Sequence, residues 1–294
     1  LTLENSTLSG NGTLSGGGNR LAGGLLNEGT LIVRGSTFDS NANGANNAGA
    51  AGTGGGLANY GNAFVVNSTF TGNAARVSGG AIHNEGTLYL ANDTITNNFS
   101  PGAALFTTST FSKSTAVNTI LVGNFNTSDT SQTRTELNVG GAALATGSSN
   151  NLTTDGTVAS IFELDIANSP FLNDNGGPTR TIALKTSSPA LNAGTDLKSL
   201  LTNFKIQSGL NFDVETFAAA DQRGTAFTRN FAGGTDVGAF ELSRETTLTV
   251  NAQGPTGNVA TGQQIELRFT VENTSDVPAE NVQFQLSIPD DVLV

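Results

Sequence analysis

The stretch Ser68-Thr69-Phe70-Thr71-Gly72-Asn73 has a counterpart at four other places in the first half of the chain. Its first three residues recur as a polar residue, a threonine and an apolar residue, at offsets of 30, 32, 25 and 25 residues. The members are Ser6-Thr7-Leu8, Ser36-Thr37-Phe38, Ser68-Thr69-Phe70, Asp93-Thr94-Ile95 and Asn118-Thr119-Ile120. A period of roughly 20 to 50 residues predicts a solenoid, because each repeat buries its apolar face only against its neighbours.

The alternation of side chains along a strand predicts which residues of each repeat face inward. The apolar residue of each step should lie in one inward column, and the threonine before it should face the other way. An asparagine follows three positions later in the first four repeats; asparagine tolerates the left-handed conformation, and its amide can bond the next asparagine in a stack. The predicted stacking columns are Phe38, Phe70, Ile95 and Ile120, continuing Leu8, and Asn41, Asn73 and Asn98, continuing Asn11.

A second recurring block, Gly-x-apolar-x-Asn-x-Gly, ends at residues 29, 61 and 86, and a short strand follows each copy. Each coil therefore holds at least two strands and two corners. The leucine-rich repeat is the rival solenoid, but its return stroke needs helix formers, and the Gly-, Ala- and Asn-rich run 41–56 has poor helix propensity. We therefore predict an all-β parallel β-helix with a coil of about 25 residues and insertions within 10–24 and 42–56.

The regular pattern weakens after residue 126, although 139–152 has the character of one more coil. We predict β-helix coils over 1–177 and a covering segment over 178–244, which would cap the exposed last rung. Two-residue alternation then predicts an antiparallel sheet in 245–294. About three strands fit there, so the region would be a partial immunoglobulin-like domain, since a complete one has about seven.

Composition restricts the partners of this protein. The net charge of −11 argues against nucleic acid, which needs clustered basic residues. No run approaches the roughly 18 apolar residues of a membrane span. The chain has no cysteine and is rich in Gly, Asn, Ser and Thr, which suits an extracellular bacterial surface. No cofactor is expected, with Ca²⁺ binding by the acidic C-terminal half as the alternative.

Candidate catalytic residues are few. Glu28 and Glu85 occupy equivalent corners, but Tyr60 stands at that position in the coil between them. The two carboxylates should therefore lie about two rungs apart, too far for one ion. His83, the single histidine, should point outward, and we expect neither a transition-metal site nor a Ser–His pair there.

Four blocks in the C-terminal half occur in a fixed order. They are Asp-Asn-Gly-Gly-Pro-Thr at 174–179, Ser-Pro-Ala-Leu-Asn-Ala-Gly at 188–194, Asp-Gln-Arg-Gly at 221–224 and Asp-Val-Gly-Ala-Phe-Glu at 236–241. Together they resemble the C-terminal signature of the choice-of-anchor Q family of bacterial surface proteins. The resemblance implies a right-handed parallel β-helix of the pectate-lyase-like superfamily, export, and attachment to a cell surface; the family has no assigned reaction. The last 50 residues resemble the start of immunoglobulin-like domains in bacterial exoproteins.

The family blocks also bring charged residues together. Asp221, Arg223, Asp236 and Glu241 are expected to form an arginine–carboxylate clamp that holds the covering segment together, with a Ca²⁺ or glycan site as the alternative.

We therefore expect a secreted, non-catalytic structural or adhesive surface protein. The alternative is a polysaccharide lyase or hydrolase, or a glycan-binding module, on the same fold. The chain opens in mid-coil, so copies of it are expected to associate through the uncapped coil and free strand edges into a filament or surface layer, and surface polysaccharide is a second expected partner.

Overall fold

The structure is a computed structural model, and it describes residues 1–13, 21–44, 52–109, 111–128, 138–153, 158–231, 234–242, 248–273, 282–283 and 285. The chain divides into two compact units, Leu1–Ser243 and Arg244–Val294.

The first unit contains a parallel β-solenoid built of short strands. In chain order they are β1 (Thr2–Glu4), β2 (Thr7–Ser9), β3 (Gly12–Thr13), β4 (Leu25–Asn27), β5 (Thr30–Arg34), β6 (Thr37–Asp39), β7 (Ala42–Asn43), β8 (Leu57–Asn59), β9 (Asn62–Val66), β10 (Thr69–Thr71), β11 (Ala74–Ala75), β12 (Ile82–Asn84), β13 (Thr87–Ala91), β14 (Thr94–Thr96), β15 (Phe99–Ser100), β16 (Leu105–Thr107), β17 (Lys113–Val117), β18 (Ile120–Leu121), β19 (Phe125–Asn126) and β20 (Val139–Gly141).

Every fourth strand stacks on its predecessor, which gives four parallel sheets of five strands. Sheet A contains β1, β5, β9, β13 and β17; sheet B, β2, β6, β10, β14 and β18; sheet C, β3, β7, β11, β15 and β19; and sheet D, β4, β8, β12, β16 and β20. We call each circuit of four strands a rung. The parallel β-solenoid predicted from the repeat is therefore present.

One left-handed residue turns the chain at each of two corners in every rung. Between sheets A and B these residues are Asn5, Gly35, Asn67, Asn92 and Asn118, and between sheets B and C they are Gly10, Ser40, Gly72, Asn97 and Gly123. Glycine and asparagine adopt positive φ at low cost, which explains their abundance in this chain. The longer connections of the first two rungs, Thr13 to Leu25 and Asn43 to Leu57, both join sheet C to sheet D.

The interior of the solenoid is a continuous apolar column. Phe38 and Phe70 stack with ring centroids 4.4 Å apart and planes 5° from parallel. Ile95 pairs with Phe70 on the next rung, and all three side chains are fully buried. The predicted fifth member, Ile120, is wrong: Ile120 pairs with Thr94, and Leu121 pairs with Ile95 and continues the column.

The error at Ile120 comes from one extra residue in the fourth rung. Successive members of the asparagine column are 30, 32, 25 and 26 residues apart, not 25 at the last step. A shift of one residue moves a side chain to the opposite face of a strand, so Ile120 faces outward. For the same reason the asparagine column continues at Asn124, and not at Gly123, where an offset of 25 residues from Asn98 would place it.

Asparagine side chains form hydrogen-bonded ladders along the solenoid. The amide of each member of the first ladder donates through Nδ2 to Oδ1 of the next at 2.9 Å, through Asn11, Asn41, Asn73, Asn98, Asn124 and Asn138. A second ladder runs from Asn27 to Asn59 to Asn84, at 2.7 and 2.8 Å. Most of these residues are buried, so the ladders supply the partners that buried amides require.

Within the described residues the structure is nearly all-β, but it also contains three helices, which the all-β prediction did not include. They are α1 (Val158–Ile161), α2 (Leu197–Ser208) and α3 (Val214–Ala218). Asp196 caps the start of α2 by accepting from the Lys198 N–H at 3.0 Å, and left-handed Gly209 ends it. Leu197, Leu201 and Phe204 face one side of α2, which is the helical pattern that sequence reading missed.

Residues 178–242 lie along the outer faces of sheets A and B; we call them the flank segment. Their hydrogen bonds reach from Gly35 on the second rung to Asn118 on the fifth, so they cover a side of the solenoid, whereas we had expected a cap over its end. The physical reason is that sheet A carries apolar side chains on its outer face, which must be covered. Phe64, Val66 and Val117 point outward from sheet A and are buried beneath α2 and α3. Two short antiparallel strands, β21 (Asn230–Phe231) and β22 (Gly234–Thr235), lie within the segment.

The second unit shows one antiparallel pair, β23 (Leu248–Gln253) and β24 (Arg268–Asn273). Two-residue alternation is typical of a sheet with one buried face, but Leu248, Val250 and Val271 are exposed. In the part of this unit that the structure describes, the two strands have no second layer against which to bury a face. The predicted third strand, around Phe284, falls mostly outside the described residues.

Candidate functional site

The flank segment docks onto the asparagine corner between sheets A and B. On the third rung, Asn67 Nδ2 donates to the carbonyls of Phe217 and Ala220, at 3.2 and 3.0 Å. On the fourth rung, Asn92 Nδ2 donates to the Asp236 carbonyl at 3.0 Å. Asn118 Nδ2 donates to the Thr195 carbonyl at 2.8 Å on the fifth rung. The corner asparagine of each of these three rungs is thus a docking point for backbone carbonyls of the flank segment.

Gln222 joins the flank segment to the threonine column of sheet B. Its Nε2 donates to Thr37 Oγ1 at 2.8 Å and to Thr179 Oγ1 at 3.0 Å. Its Oε1 accepts from Thr69 Oγ1 at 2.6 Å. Thr37, Thr69 and Thr94 face away from the core as predicted, but they are buried, so these three residues do not present a surface for ligands.

Arg223 and Asp221 form the centre of the predicted clamp. The Nε and Nη2 atoms of Arg223 donate to Asp221 Oδ2 at 2.9 and 2.7 Å. The guanidinium carbon lies 3.8 Å from the ring centroid of Phe227 and 3.9 Å from that of Phe240, so the cation lies close to two aromatic rings. The Glu241 N–H also donates to Asp221 Oδ2, at 2.8 Å.

The other two predicted clamp residues bind different partners. Asp236 accepts from the backbone N–H groups of Asn192 and Leu242, at 2.8 and 2.7 Å. Glu241 Oε2 accepts from the Asp236 N–H at 3.0 Å and lies 3.4 Å from Arg229 Nη1. The structure brings all four predicted residues into one buried cluster, in which the Arg223 guanidinium pairs with the Asp221 carboxylate and also donates to the Glu241 backbone carbonyl.

Arg229 is the residue that sequence reading missed in this cluster. Its side chain is 1% exposed, and its Nη2 donates to Asn67 Oδ1 at 2.6 Å and to the Ala239 carbonyl at 3.1 Å. Nη1 donates to the Gly238 carbonyl at 2.9 Å. Arg229 lies outside the four family blocks, and no local pattern marks it, because its partners are not its neighbours in sequence: Gly238, Ala239 and Glu241 lie in the fourth block, and Asn67 lies on the third rung.

Burial raises the pKa of Glu241 to about 7, and the Arg229 charge opposes that rise. The nearby carboxylates of Asp236 and Asp221 act in the same direction as burial. The cluster therefore contains a carboxyl group that changes its charge close to neutral pH, although Arg229 stands beside it.

A cleft of about 290 Å³ opens between the flank segment and the first three rungs. Among the residues that line it are Asn5, Arg34, Gly35, Phe217, Arg223 and Thr225. Arg34 Nη1 donates to the Thr216 carbonyl at 3.2 Å, and Nη2 lies 3.5 Å from Glu4. The cleft thus combines a partly exposed guanidinium with an amide and a glycine floor.

On the outer face of sheet D, His83 forms a polar triplet that sequence reading did not expect. Its Nδ1 lies 3.0 Å from Ser78 Oγ, and its Nε2 lies 3.1 Å from Glu85 Oε1. The His83 ring stacks on Phe106, with centroids 5.8 Å apart. His83 is 3% exposed, and this burial lowers its pKa, against the opposing hydrogen bond and charge of Glu85.

The triplet has the residue types of a nucleophilic serine but not the access that a nucleophile needs. Ser78 is 4% exposed, so its hydroxyl group is covered. We interpret the Ser78 and Glu85 contacts as fixing the His83 ring on the face of sheet D. The other predicted feature of this region is as expected: Tyr60 lies on the rung between Glu28 and Glu85, since its N–H bonds the Asn27 carbonyl and the Glu85 N–H bonds the Asn59 carbonyl.

Asp93 is a buried carboxylic acid in a column of serines. Its Oδ1 accepts from the Ser68 N–H at 2.8 Å, as Ser68 Oγ accepts from the Ser36 N–H at 3.2 Å one rung below. Burial raises the pKa of Asp93 well above its usual value, although the hydrogen bonds that its carboxylate accepts from backbone N–H groups oppose this rise.

We expect Asp93→Ser to stabilise the protein by about 1 kcal/mol at pH 8, because serine keeps an acceptor for the Ser68 N–H without burying a carboxyl group. The folded-state pKa is raised, so the folded state binds more protons than the unfolded state above pH 4, and the stability of the parent falls as pH rises. The advantage of Asp93→Ser should therefore shrink at pH 4. Urea denaturation at both pH values measures it, with Asp39→Asn as the control for loss of one negative charge; a variant less stable than the parent at pH 8 contradicts this.

Within the described residues, no three His, Asp or Glu side chains are grouped as a metal site would require. Among the helices of that same part of the chain, none is long and apolar enough to cross a membrane. Comparison with known protein families finds no family that matches the chain, and comparison with curated proteins finds no matching relative.

Proposed function

We propose that this protein is a secreted, non-catalytic structural or adhesive component of a bacterial cell surface. The observation that carries the proposal is how the polar side chains of the solenoid are used. The buried asparagines donate to one another from rung to rung, and the corner asparagines donate to the flank segment. Asparagine side chains that bond to one another and to the flank segment stiffen the solenoid. They do not converge on a site where a substrate could bind.

The resemblance of the four C-terminal blocks to the choice-of-anchor Q family supports export and surface attachment. The same resemblance supports the right-handed form of the solenoid, and the separate resemblance of the last 50 residues to domains of bacterial exoproteins supports an immunoglobulin-like identity for residues 245–294. No cofactor forms part of this proposal. A group of carboxylates arranged to ligate Ca²⁺ would change this part of the proposal.

Self-association is a further part of the proposal. The outermost strands of four parallel sheets carry backbone N–H and C=O groups suited to pairing with another copy, which would extend the solenoid into a filament or a surface layer. Electron microscopy and sedimentation of the purified chain test this part. A strictly monomeric protein at high concentration contradicts it.

The sharpest test of the main proposal is surface location combined with absence of turnover. Antibody labelling of intact producing cells should detect the protein without permeabilisation. Incubation of the purified chain with a panel of uronate-containing and neutral polysaccharides should release no new reducing or unsaturated ends. Labelling only after permeabilisation, or steady release of such ends, overturns the proposal.

A glycan-binding module is the second candidate, and one observation favours it. Phe106 and Tyr60 flank the His83 ring on the outer face of sheet D, with the Glu85 carboxylate beside them. Aromatic faces with an adjacent carboxylate can stack on a sugar ring and accept from its hydroxyl groups. Saturable binding to a glycan array that Phe106→Ala abolishes would favour this candidate, and binding that survives Phe106→Ala would count against it.

A further inference from the structure

The corner between sheets A and B carries the same kind of docking point on several rungs, and one of them is unused by the described residues. Asn67, Asn92 and Asn118 each donate their side-chain amide to a backbone carbonyl of the flank segment. Asn5 occupies the same corner on the first rung, with the same left-handed backbone at φ 48°. None of the described residues accepts a hydrogen bond from the Asn5 amide.

Gly35 is the corner residue directly above Asn5, and it is the one member of the series without a side chain. An added Cβ there would stand 2.6 Å from Asn5 Oδ1, so the Asn5 side chain lies against the Gly35 backbone. Both residues line the cleft of about 290 Å³, a volume near the lower end of the usual size of ligand sites. The Asn5 amide therefore belongs to the lining of this cleft.

Arg34 supplies a charge at the same cleft. Its Nη1 atom is held by the Thr216 carbonyl, and its guanidinium carbon lies 4.9 Å from the centroid of the Phe217 ring, which fixes its position. Its carboxylate partner is loosely held: Glu4 lies 3.5 Å away, and the Glu4 side chain is 42% exposed. Such a pair contributes little, so a better-placed carboxylate can replace Glu4.

We propose that this cleft binds an extended acidic peptide, whose backbone carbonyl accepts from Asn5 and whose carboxylate pairs with Arg34. The occupant is a peptide because the equivalent amides on the upper rungs all bind peptide carbonyls, and the cleft continues that interface. The carboxylate requirement comes from Arg34. The proposal is independent of the surface role proposed above and adds a partner that the chain itself recognises.

Binding of short peptides to the full chain tests the proposal. The probe is acetyl-Ala-Asp-Ala-Ala-amide, and the matched peptide has Asn in place of Asp. We expect the Asp peptide to bind about tenfold more tightly than the Asn peptide, since a charge-assisted hydrogen bond is the stronger one. Arg34→Gln should abolish this preference, whereas Asn5→Ala should weaken both peptides. Glu4→Gln should strengthen binding of the Asp peptide, because it removes the competing carboxylate.

Two controls make the result decisive. Lys113→Gln removes a cation on the fifth rung and should leave both affinities unchanged, and the melting temperature of each variant shows that it is folded. Sodium glucuronate tests whether a carboxylated sugar is the true occupant. The proposal is overturned by an absence of saturable binding, by binding that is insensitive to Asn5→Ala and Arg34→Gln together, or by glucuronate binding more tightly than the Asp peptide.

Discussion

Replacing Phe70 by alanine should destabilise the solenoid by about 3 to 5 kcal/mol, the usual cost of deleting a buried aromatic side chain. Phe70 is fully buried and stacks on Phe38 at 4.4 Å, with Ile95 on the rung above. Its loss leaves a cavity between two rungs whose backbones are held apart by their hydrogen bonds, so the site cannot easily collapse. In a repeat protein each rung is stabilised only by its neighbours, and the damage should therefore reach the whole column.

Urea denaturation followed by circular dichroism measures this effect. Phe111→Ala is the matched control, because the Phe111 side chain is 94% exposed and its removal should change stability by less than about 0.5 kcal/mol. If Phe70→Ala lowers the free energy of unfolding no more than Phe111→Ala does, the stacked column does not stabilise the protein. The structural role proposed for the solenoid then loses its support.

Replacing Arg229 by methionine should cost about 3 to 5 kcal/mol, the usual result of removing one partner from a buried charged pair. Methionine fills much of the volume, but it removes the cation beside Glu241 and the guanidinium donors to Asn67 Oδ1 and the Gly238 carbonyl. Those groups join the flank segment to the third rung. We therefore expect the flank segment to loosen first, which would expose Phe64 and the other apolar residues of sheet A that it covers.

Hydrogen exchange distinguishes this local loss from general unfolding. Exchange should accelerate in α2 and α3 of the Arg229→Met variant while strands β9 and β13 stay protected. The double variant Arg229→Met with Glu241→Gln should recover part of the stability, because glutamine still accepts from the Asp236 N–H and leaves no buried carboxyl group that has lost its cation. Arg268→Met removes one partner of an exposed pair, Arg268–Glu266 at 3.7 Å, and should have almost no effect. Uniform acceleration of exchange throughout the solenoid contradicts the local role of Arg229.

These two predictions concern different interfaces and should be independent. Phe70 holds rung to rung inside the solenoid, whereas Arg229 holds the flank segment to its outside. Neither residue touches the cleft between Asn5 and Arg34 directly in the described contacts, so the peptide-binding variants can be interpreted apart from them.

The repeat in the first half of the amino-acid sequence is enough to specify the solenoid fold. Repeated strand-sized steps such as Ser36-Thr37-Phe38 and Ser68-Thr69-Phe70, each ending near an asparagine, specify local geometry that can be satisfied only by stacking. The insertions between sheets C and D also follow from the offsets, because extra residues collect at corners. The register of the last rung did not follow: one additional residue before Ile120 is invisible to a repeat that ends there, yet it turns that side chain from the core to the outside.

The position of the second half of the chain depends on long-range packing. Asp221, Arg223, Asp236 and Glu241 could be grouped from the sequence, but their partners could not, because Arg229 and Asn67 are far apart in the chain and meet only when the flank segment lies down on sheets A and B. The same docking determines that Asn67 and Asn92 are buried while Asn5 faces a cleft. Local patterns record which residues share a turn or a face; long-range burial and hydrogen bonding depend on where a non-repeating segment packs, and no period in the sequence encodes that position.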